Sequence, residues 1–356
     1  MKSDDRKIGE KFLERIHREA ENLGGVKLME VCGTHTQTIE KFGIRSLLPK
    51  NIELISGPGC PVCVTSVKEI DEVIELSKRD NLIITTFGDM LKVPGTESSL
   101  SEMKTLGKDV KVVYSISDAV KIAKENPNKE VVHVAIGFET TIPSTACEIL
   151  SNAPENFSVL SCHRLIPPAM EFLQKEGDVQ IDGFICPGHV SAIIGTRPYE
   201  KISKKFKVPQ VVAGFEPVDV IIAIEQLLRM LKEKKPEVKN EYSRVVKPEG
   251  NIKAQKIISE VFEPVDVEWR GFPKIQKSGL KLKEKFSQYD ARKKFAIKIK
   301  SSKEPKGCIC GKVLKGIAKP TDCKLFAKGC TPEKPVGPCM VSTEGACGIV
   351  YKFRRR

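Results

Sequence analysis

The sequence predicts an α/β fold: two doubly wound parallel-sheet domains followed by a smaller C-terminal domain. Three observations predict it. Short apolar runs alternate with helical patterns across residues 26–233, as in βα units. The rhythm restarts after the turn signal Glu125-Asn-Pro-Asn128. Beyond Pro236 it stops, and between 305 and 348 Gly, Pro and Cys dominate. The expected domains are therefore 1–125, 126–236 and 237–356.

The elements follow in order. Residues 6–23 form an amphipathic helix, with Ile8, Phe12, Ile16, Ala20 and Leu23 on one face. Strands are expected at 26–30, 51–55, 81–86 and 110–115, with the clearest intervening helix at 66–78. The second series places strands at 130–136, 157–161, 181–186 and 209–213. A helix at 217–233 closes it, with Pro217 in its first turn. A charged linker follows, then a short helix near 251–262. The stretch from there to 306 has no clear period. A segment so poor in apolar residues is expected to fold with the help of a metal.

Composition narrows the function. The 356 residues are 40% hydrophobic, which excludes a disordered chain. No apolar run approaches the ~20 residues of a spanning helix, and the first residues lack the apolar stretch of a signal peptide. A cytoplasmic protein with no membrane partner is expected, and its 12 cysteines are then metal ligands or redox thiols rather than structural disulfides. The net charge of +13 is unevenly spread. Residues 1–226 carry 27 basic and 32 acidic side chains, and 227–356 carry 32 and 14. Aromatics are only 6%, and no RNP-like, helix-turn-helix or C2H2 pattern occurs, so nucleic acid is not an expected partner. P-loop, GxGxxG, GxSxG and HExxH motifs are absent.

Open parallel sheets bind ligands at the carboxyl ends of their strands, and five unusual motifs sit there. Cys32-Gly-Thr-His35 pairs a thiol with an imidazole, suited to a transition metal or a nucleophile–base pair. Gly57-Pro-Gly-Cys60-Pro-Val-Cys63 forces a tight turn and puts Cys60 at a helix start, with Pro61 at the first position. Such a thiol is activated for disulfide exchange or metal binding. Thr86-Phe-Gly-Asp89 reads best as loop packing. Glu139 and Thr140, in Gly137-Phe-Glu-Thr-Thr141, can orient a ligand or relay protons, or else cap the next helix. His189, in Pro187-Gly-His-Val-Ser191, is a candidate acid–base or ligand group. Cys147 and Cys162 read as core thiols and His133 as structural. If both sheets direct their strand ends at one cleft, Cys32, Cys60, Cys63, Glu139 and His189 meet there.

Six cysteines, 308, 310, 323, 330, 339 and 347, lie in the last 49 residues. None forms the paired C-x-x-C knuckles of a zinc ribbon. Spacing alone leaves zinc and an iron–sulfur cluster open, with six thiols for four places.

Taken together, the motifs resemble those of the [NiFe]-hydrogenase maturation factor HypD family. The resemblance rests on Met29-Glu-Val-Cys-Gly-Thr-His35, the GPGCPVC, TFGD, GFETT and PGHVS motifs above, Val212-Ala-Gly-Phe-Glu-Pro217, Glu268-Trp-Arg-Gly271, and the segment from Cys310 to Cys347. It implies a maturation scaffold rather than a turnover enzyme. On it, with a HypC-type small chaperone and a HypE-type cyanide donor, the Fe(CN)2CO unit is assembled. It further implies Cys32 as the ligand of the transient iron carrying CN and CO, Cys60 and Cys63 as a redox pair, and a C-terminal [4Fe–4S] cluster domain with ligands Cys310, Cys323, Cys330 and Cys347. Where the family often has a second histidine, residue 37 is Gln, a poor iron ligand, so His35 remains the candidate imidazole. Two alternatives are a disulfide reductase of the ferredoxin–thioredoxin type and a zinc-bearing nucleic-acid binder.

Overall fold

The computed structural model describes residues 3–299 and 301–354. Its strands, in chain order, are β1 (Val26–Glu30), β2 (Ile52–Ser56), β3 (Leu82–Thr86), β4 (Val110–Val112), β5 (Glu130–Gly137), β6 (Phe157–His163), β7 (Gly183–Pro187), β8 (Gln210–Ala213), β9 (Val238–Asn240), β10 (Phe262–Glu268) and β11 (Lys274–Leu282).

Nine of these form two fully parallel sheets. One has the order β2-β1-β7-β8-β9 and the other β4-β3-β5-β6. In each, the chain lays down a first strand, adds the second on one side, then crosses back to the other side. The reversal creates a crevice at the strand ends, between β1 and β7 and between β3 and β5. Strands β3, β6 and β7 are buried along their whole length, because helices cover both faces and leave no solvent side for polar residues.

The expected division at residue 125 does not hold. The four-stranded sheet comes from one stretch, residues 82–163, inserted between the first two strands of the five-stranded sheet and its last three. Both sheets therefore pair strands from either side of residue 125. The βα rhythm is the same in both sheets, so periodicity cannot reveal which strands pair.

The body also extends past residue 236. Strand β9 joins the larger sheet, and the β10–β11 hairpin packs Phe262, Leu280 and Leu282 against Ile83, Val131 and Val159. The apolar–polar alternation of β10 was masked by Pro264 and by flanking charge. Helix Ser3–Ala20 lies against helix Pro217–Glu233, and Ile16, Ala20, Ile224 and Leu228 share a core with Leu28, Ile185 and Val211. Cys162 is buried as expected, whereas Cys147 is exposed on the outer face of its helix.

The segment Glu268–Gly271 joins the cysteine-rich end to the body. Trp269 is buried, stacks on Phe138 at 6.0 Å, and donates its indole N–H to Ser278 Oγ at 2.9 Å. The Arg270 amide donates to Val64 O at 2.8 Å. Gly271, at φ +79°, faces Gly311 so closely that an added Cβ would fall 2.1 Å from the Gly311 Cα. Two glycines in contact let the helix Cys310–Leu314 approach the body to within backbone distance.

Candidate functional site

Both sheets direct their strand ends at one cleft of about 410 Å³. β1 runs into Cys32, which adopts an extended conformation (φ −152°, ψ 126°) as the cap of helix Gly33–Lys41. The amides of Thr34 and His35 and the Thr34 hydroxyl are directed at its sulfur. β7 leads to His189, and β5 leads to Phe138 and Thr140. Pro61 and Glu344 complete the wall.

The Gly57–Cys60 turn packs directly on Cys32. Gly33 N–H donates to Gly59 O at 3.1 Å. A Cβ at Gly59 would lie 2.3 Å from Cys32 N, so only glycine fits. The next residue, Cys60, caps the short helix Pro61–Val64 as expected, with Pro61 in its first turn and the Cys63 amide donating to Cys60 Sγ at 3.1 Å. Cys60 and Cys63 are joined in a disulfide, buried behind the cleft wall.

Cys32 is free and half-buried. Burial pushes its thiol up to about 11, the Glu344 carboxylate adds to the rise, and the His35 and Thr34 donors oppose it. The Glu344 carboxyl lies beside Thr34 and is itself raised, by burial and by Asp89. Asp89 does not face the cleft. It holds the loop that presents Glu344, accepting from Ser342 Oγ at 2.8 Å and the Thr343 amide at 3.0 Å. The expected packing role of Thr86–Asp89 is thereby specified.

Two candidates lie elsewhere. His35 is fully buried, its Nε2–H donates to Gly214 O at 2.8 Å, and burial holds it neutral, down to about 4. Its ring does not line the cleft. Glu139 turns the opposite way from Phe138 and Thr140, toward a separate apolar cavity between Ile142, Leu165 and Phe262. One carboxyl oxygen accepts from the Ile166 amide at 3.0 Å, the other is buried without a partner, and burial raises the group to about 8. Of the five residues expected to meet, Cys32 and His189 line the cleft, the disulfide backs it, and Glu139 does not share it.

All six C-terminal cysteines line one small cavity. Cys310, one of the four expected ligands, is joined to Cys339 in a disulfide on the wall of this cavity. The free thiols there are Cys308, Cys323, Cys330 and Cys347. They lie close enough that Cys308, Cys323 and Cys330 each raise the Cys347 thiol, in addition to its burial. The Val336 amide donates to Cys330 Sγ at 3.3 Å. Pro338 O, next to Cys339, lies 3.8 Å from Cys63 Sγ, so the two disulfides are neighbours through one residue.

Residues 7–354 match the family model HypD, described as "Hydrogenase formation hypA family". The chain belongs to the HypD family. It is 53% identical over 355 residues to a putative hydrogenase expression/formation protein of Methanocaldococcus jannaschii, covering 99% of each chain. It is 45% identical over 362 residues to hydrogenase maturation factor HypD2 of Bradyrhizobium diazoefficiens, covering 99% of this chain and 95% of that one. Against HypD of Cupriavidus necator the identity is 44% over 362 residues, with 99% and 96% covered. Among the described residues no helix is long and apolar enough to cross a membrane.

Sequence reasoning missed three residues of this HypD-family site: Thr34, Phe215 and Glu344. Phe215 follows β8, and the strand-end rule that found the other motifs reaches it too. Glu344 carries no such signal, because its loop arrives at the cleft from the cysteine-rich end.

Glu139 gives a pH prediction. A carboxyl raised to about 8 in the folded state binds its proton more tightly there than in the unfolded chain. Its stabilising effect is complete below the unfolded value and is lost as pH rises through about 8. The stability of Glu139→Gln relative to wild type is therefore expected to climb between pH 5 and 8 in urea unfolding. A difference independent of pH would show that Glu139 is ionised in the folded protein.

Proposed function

We propose that this chain is a scaffold on which iron acquires its cyanide and carbon monoxide ligands during [NiFe]-hydrogenase maturation. It works with a HypC-type small chaperone and receives cyanide from a HypE-type donor. One observation carries the reading: a free thiol, Cys32, stands on the wall of an open cleft with a buried disulfide directly behind it.

Iron is the cargo. Cys32 supplies one ligand, and the cleft leaves room for ligands from a partner. Because the thiol is held near 11, binding iron displaces a proton. The Thr34 and His35 donors directed at the sulfur stabilise the thiolate that results. Thr140 and His189 offer hydrogen bonds to charged ligands on the iron from the opposite wall, where fixed donors favour developing anionic charge. His35 supports the site through its bond to Gly214 instead of ligating.

The Cys60–Cys63 disulfide would be reduced by two electrons, delivered one at a time through the cluster from an external one-electron donor, and with two protons would become a dithiol beside Cys32. The Cys63 amide then stabilises a thiolate on Cys60. Cys308, Cys323, Cys330 and Cys347 fit a [4Fe–4S] cluster. They ring one cavity. A cluster takes one thiolate on each of its four irons. When bound, it supplies one-electron reducing power close to the Cys310–Cys339 disulfide.

The two adjacent disulfides also favour a second reading, a disulfide reductase of the ferredoxin–thioredoxin type. Anaerobic co-purification with the HypC-type partner separates the two. The scaffold reading expects iron beyond the cluster, with cyanide and CO infrared bands that disappear in Cys32→Ala. Bands that persist in that variant would remove Cys32 as a ligand, and iron confined to the cluster would favour the reductase. In the same preparations Cys308→Ser is expected to lose cluster iron and sulfide as fully as Cys323→Ser, while Cys310→Ser keeps them. The reverse pattern would make Cys310, and not Cys308, the fourth ligand.

A further inference from the structure

The motif Val212-Ala-Gly-Phe-Glu-Pro217 leads out of β8. Its phenylalanine stacks against two histidines. The His189 ring lies on Phe215 with centroids 4.0 Å apart and planes 30° from parallel. The His35 ring stacks on it at 5.0 Å and 29°. His189 is on the cleft wall, whereas His35 is buried in the helix that starts at Cys32. One aromatic ring therefore links His189 on the cleft wall to the buried first turn of the helix that starts at Cys32.

The platform is built to stay in place. The Phe215 carbonyl accepts from Thr38 Oγ1 at 2.9 Å, and the Gly214 carbonyl accepts from His35 Nε2 at 2.8 Å. The Gly214 amide donates to Glu241 Oε2 at 3.0 Å. Tyr242 meets Phe215 edge-on at 5.9 Å, and the Arg244 guanidinium lies over the tyrosine ring at 4.5 Å from its centroid.

Two glycines make the arrangement possible. A Cβ at Gly188 would lie 2.6 Å from Ala213 O, 2.9 Å from Tyr242 Cδ1 and 3.2 Å from Phe215 Cε2. A Cβ at Gly214 would lie 2.1 Å from Asp219 Oδ2 and 2.7 Å from Tyr242 Cδ2. The glycine before His189 and the glycine before Phe215 thus clear the space in which the two side chains stack. Stacking holds the imidazole by its face and leaves its edge, with both nitrogens, without hydrogen-bond partners among the described residues. A neutral imidazole always carries one N–H donor on that edge.

We propose that Phe215 is a positioning residue of the cleft, holding the His189 imidazole edge-outward so that its N–H meets an anionic ligand on iron bound at Cys32. The inference rests on the assembly reading above. It gives Phe215 a part that loop packing alone would not require, because it predicts an effect on the electronic state of the bound ligands.

The test compares Phe215→Leu, Phe215→Tyr and His189→Gln in the full chain with its small partner. In metal-free protein, the His189 ring protons should show the ring-current shift of a stacked aromatic in proton NMR, and should lose it in Phe215→Leu. In the iron-loaded complex, Phe215→Leu and His189→Gln should move the cyanide infrared bands in the same direction with iron content unchanged. Phe215→Tyr, which keeps the ring, should retain wild-type bands. Iron present with unmoved bands in Phe215→Leu and His189→Gln overturns this inference alone. So does loss of iron in Phe215→Leu to the level of Cys32→Ala, since Phe215 would then act on binding rather than on His189. Absence of Cys32-dependent iron from the wild-type complex overturns the assembly reading instead.

Discussion

The cleft depends on backbone passing backbone where no side chain fits. Gly59 crosses Cys32 so closely that a Cβ would overlap its amide, and Gly33 meets Glu344, where a Cβ would lie 2.4 Å from the carbonyl oxygen. These two contacts bring the β2 turn, the β1 end and the cysteine-rich tail to one point. Without them Cys32 would have no neighbouring disulfide and no acidic residue from the tail. Gly271 against Gly311 repeats the device one layer back and sets the cysteine cavity beside the body. Substitution at any of these glycines forces backbone to shift, since the neighbour in each case is main chain or the base of a side chain.

Burial then sorts the thiols by chemistry. Cys162 and Cys186 are fully enclosed, their thiols are raised by desolvation, and they are inert at neutral pH. Cys32 is raised as well, but it faces a cleft and has donors aimed at its sulfur, so a metal has a route to it. The paired cysteines stand between these extremes. They are enclosed, yet neighbours through Pro338, so the two disulfides and the four free thiols form one continuous sulfur-rich region. This continuity is physical grounds for treating the basic, cysteine-rich end and the slightly acidic body as one functional unit.

Much of this was legible in the sequence, and the limits have physical causes. Strand-end motifs identified Cys32, the Cys60–Cys63 turn and His189, because a parallel sheet exposes its chemistry only where strands end. Pro61 after Cys60 announced a helix start, which the structure bears out. Periodicity could not show that residues 82–163 form a sheet inserted into another, since strand pairing leaves no trace in the spacing of apolar residues. Nor could it orient Glu139. Residues 138 and 140 line the cleft, and the residue between them points away from it, a matter of backbone direction in a loop. The pairing of Cys310 with Cys339 was out of reach for a related reason: six thiols allow many pairings, and only the fold brings these two together.

The proposed scaffold role requires iron to be held at Cys32 in the cleft between the two sheets. Anomalous diffraction at the iron edge, from anaerobic crystals of the chain with its HypC-type partner, measures this directly. The expected result is one iron peak within bonding distance of Cys32 Sγ and a second, stronger one among Cys308, Cys323, Cys330 and Cys347. Iron confined to the four-cysteine cavity, with an empty cleft in a complex that shows cyanide and CO bands, would contradict it.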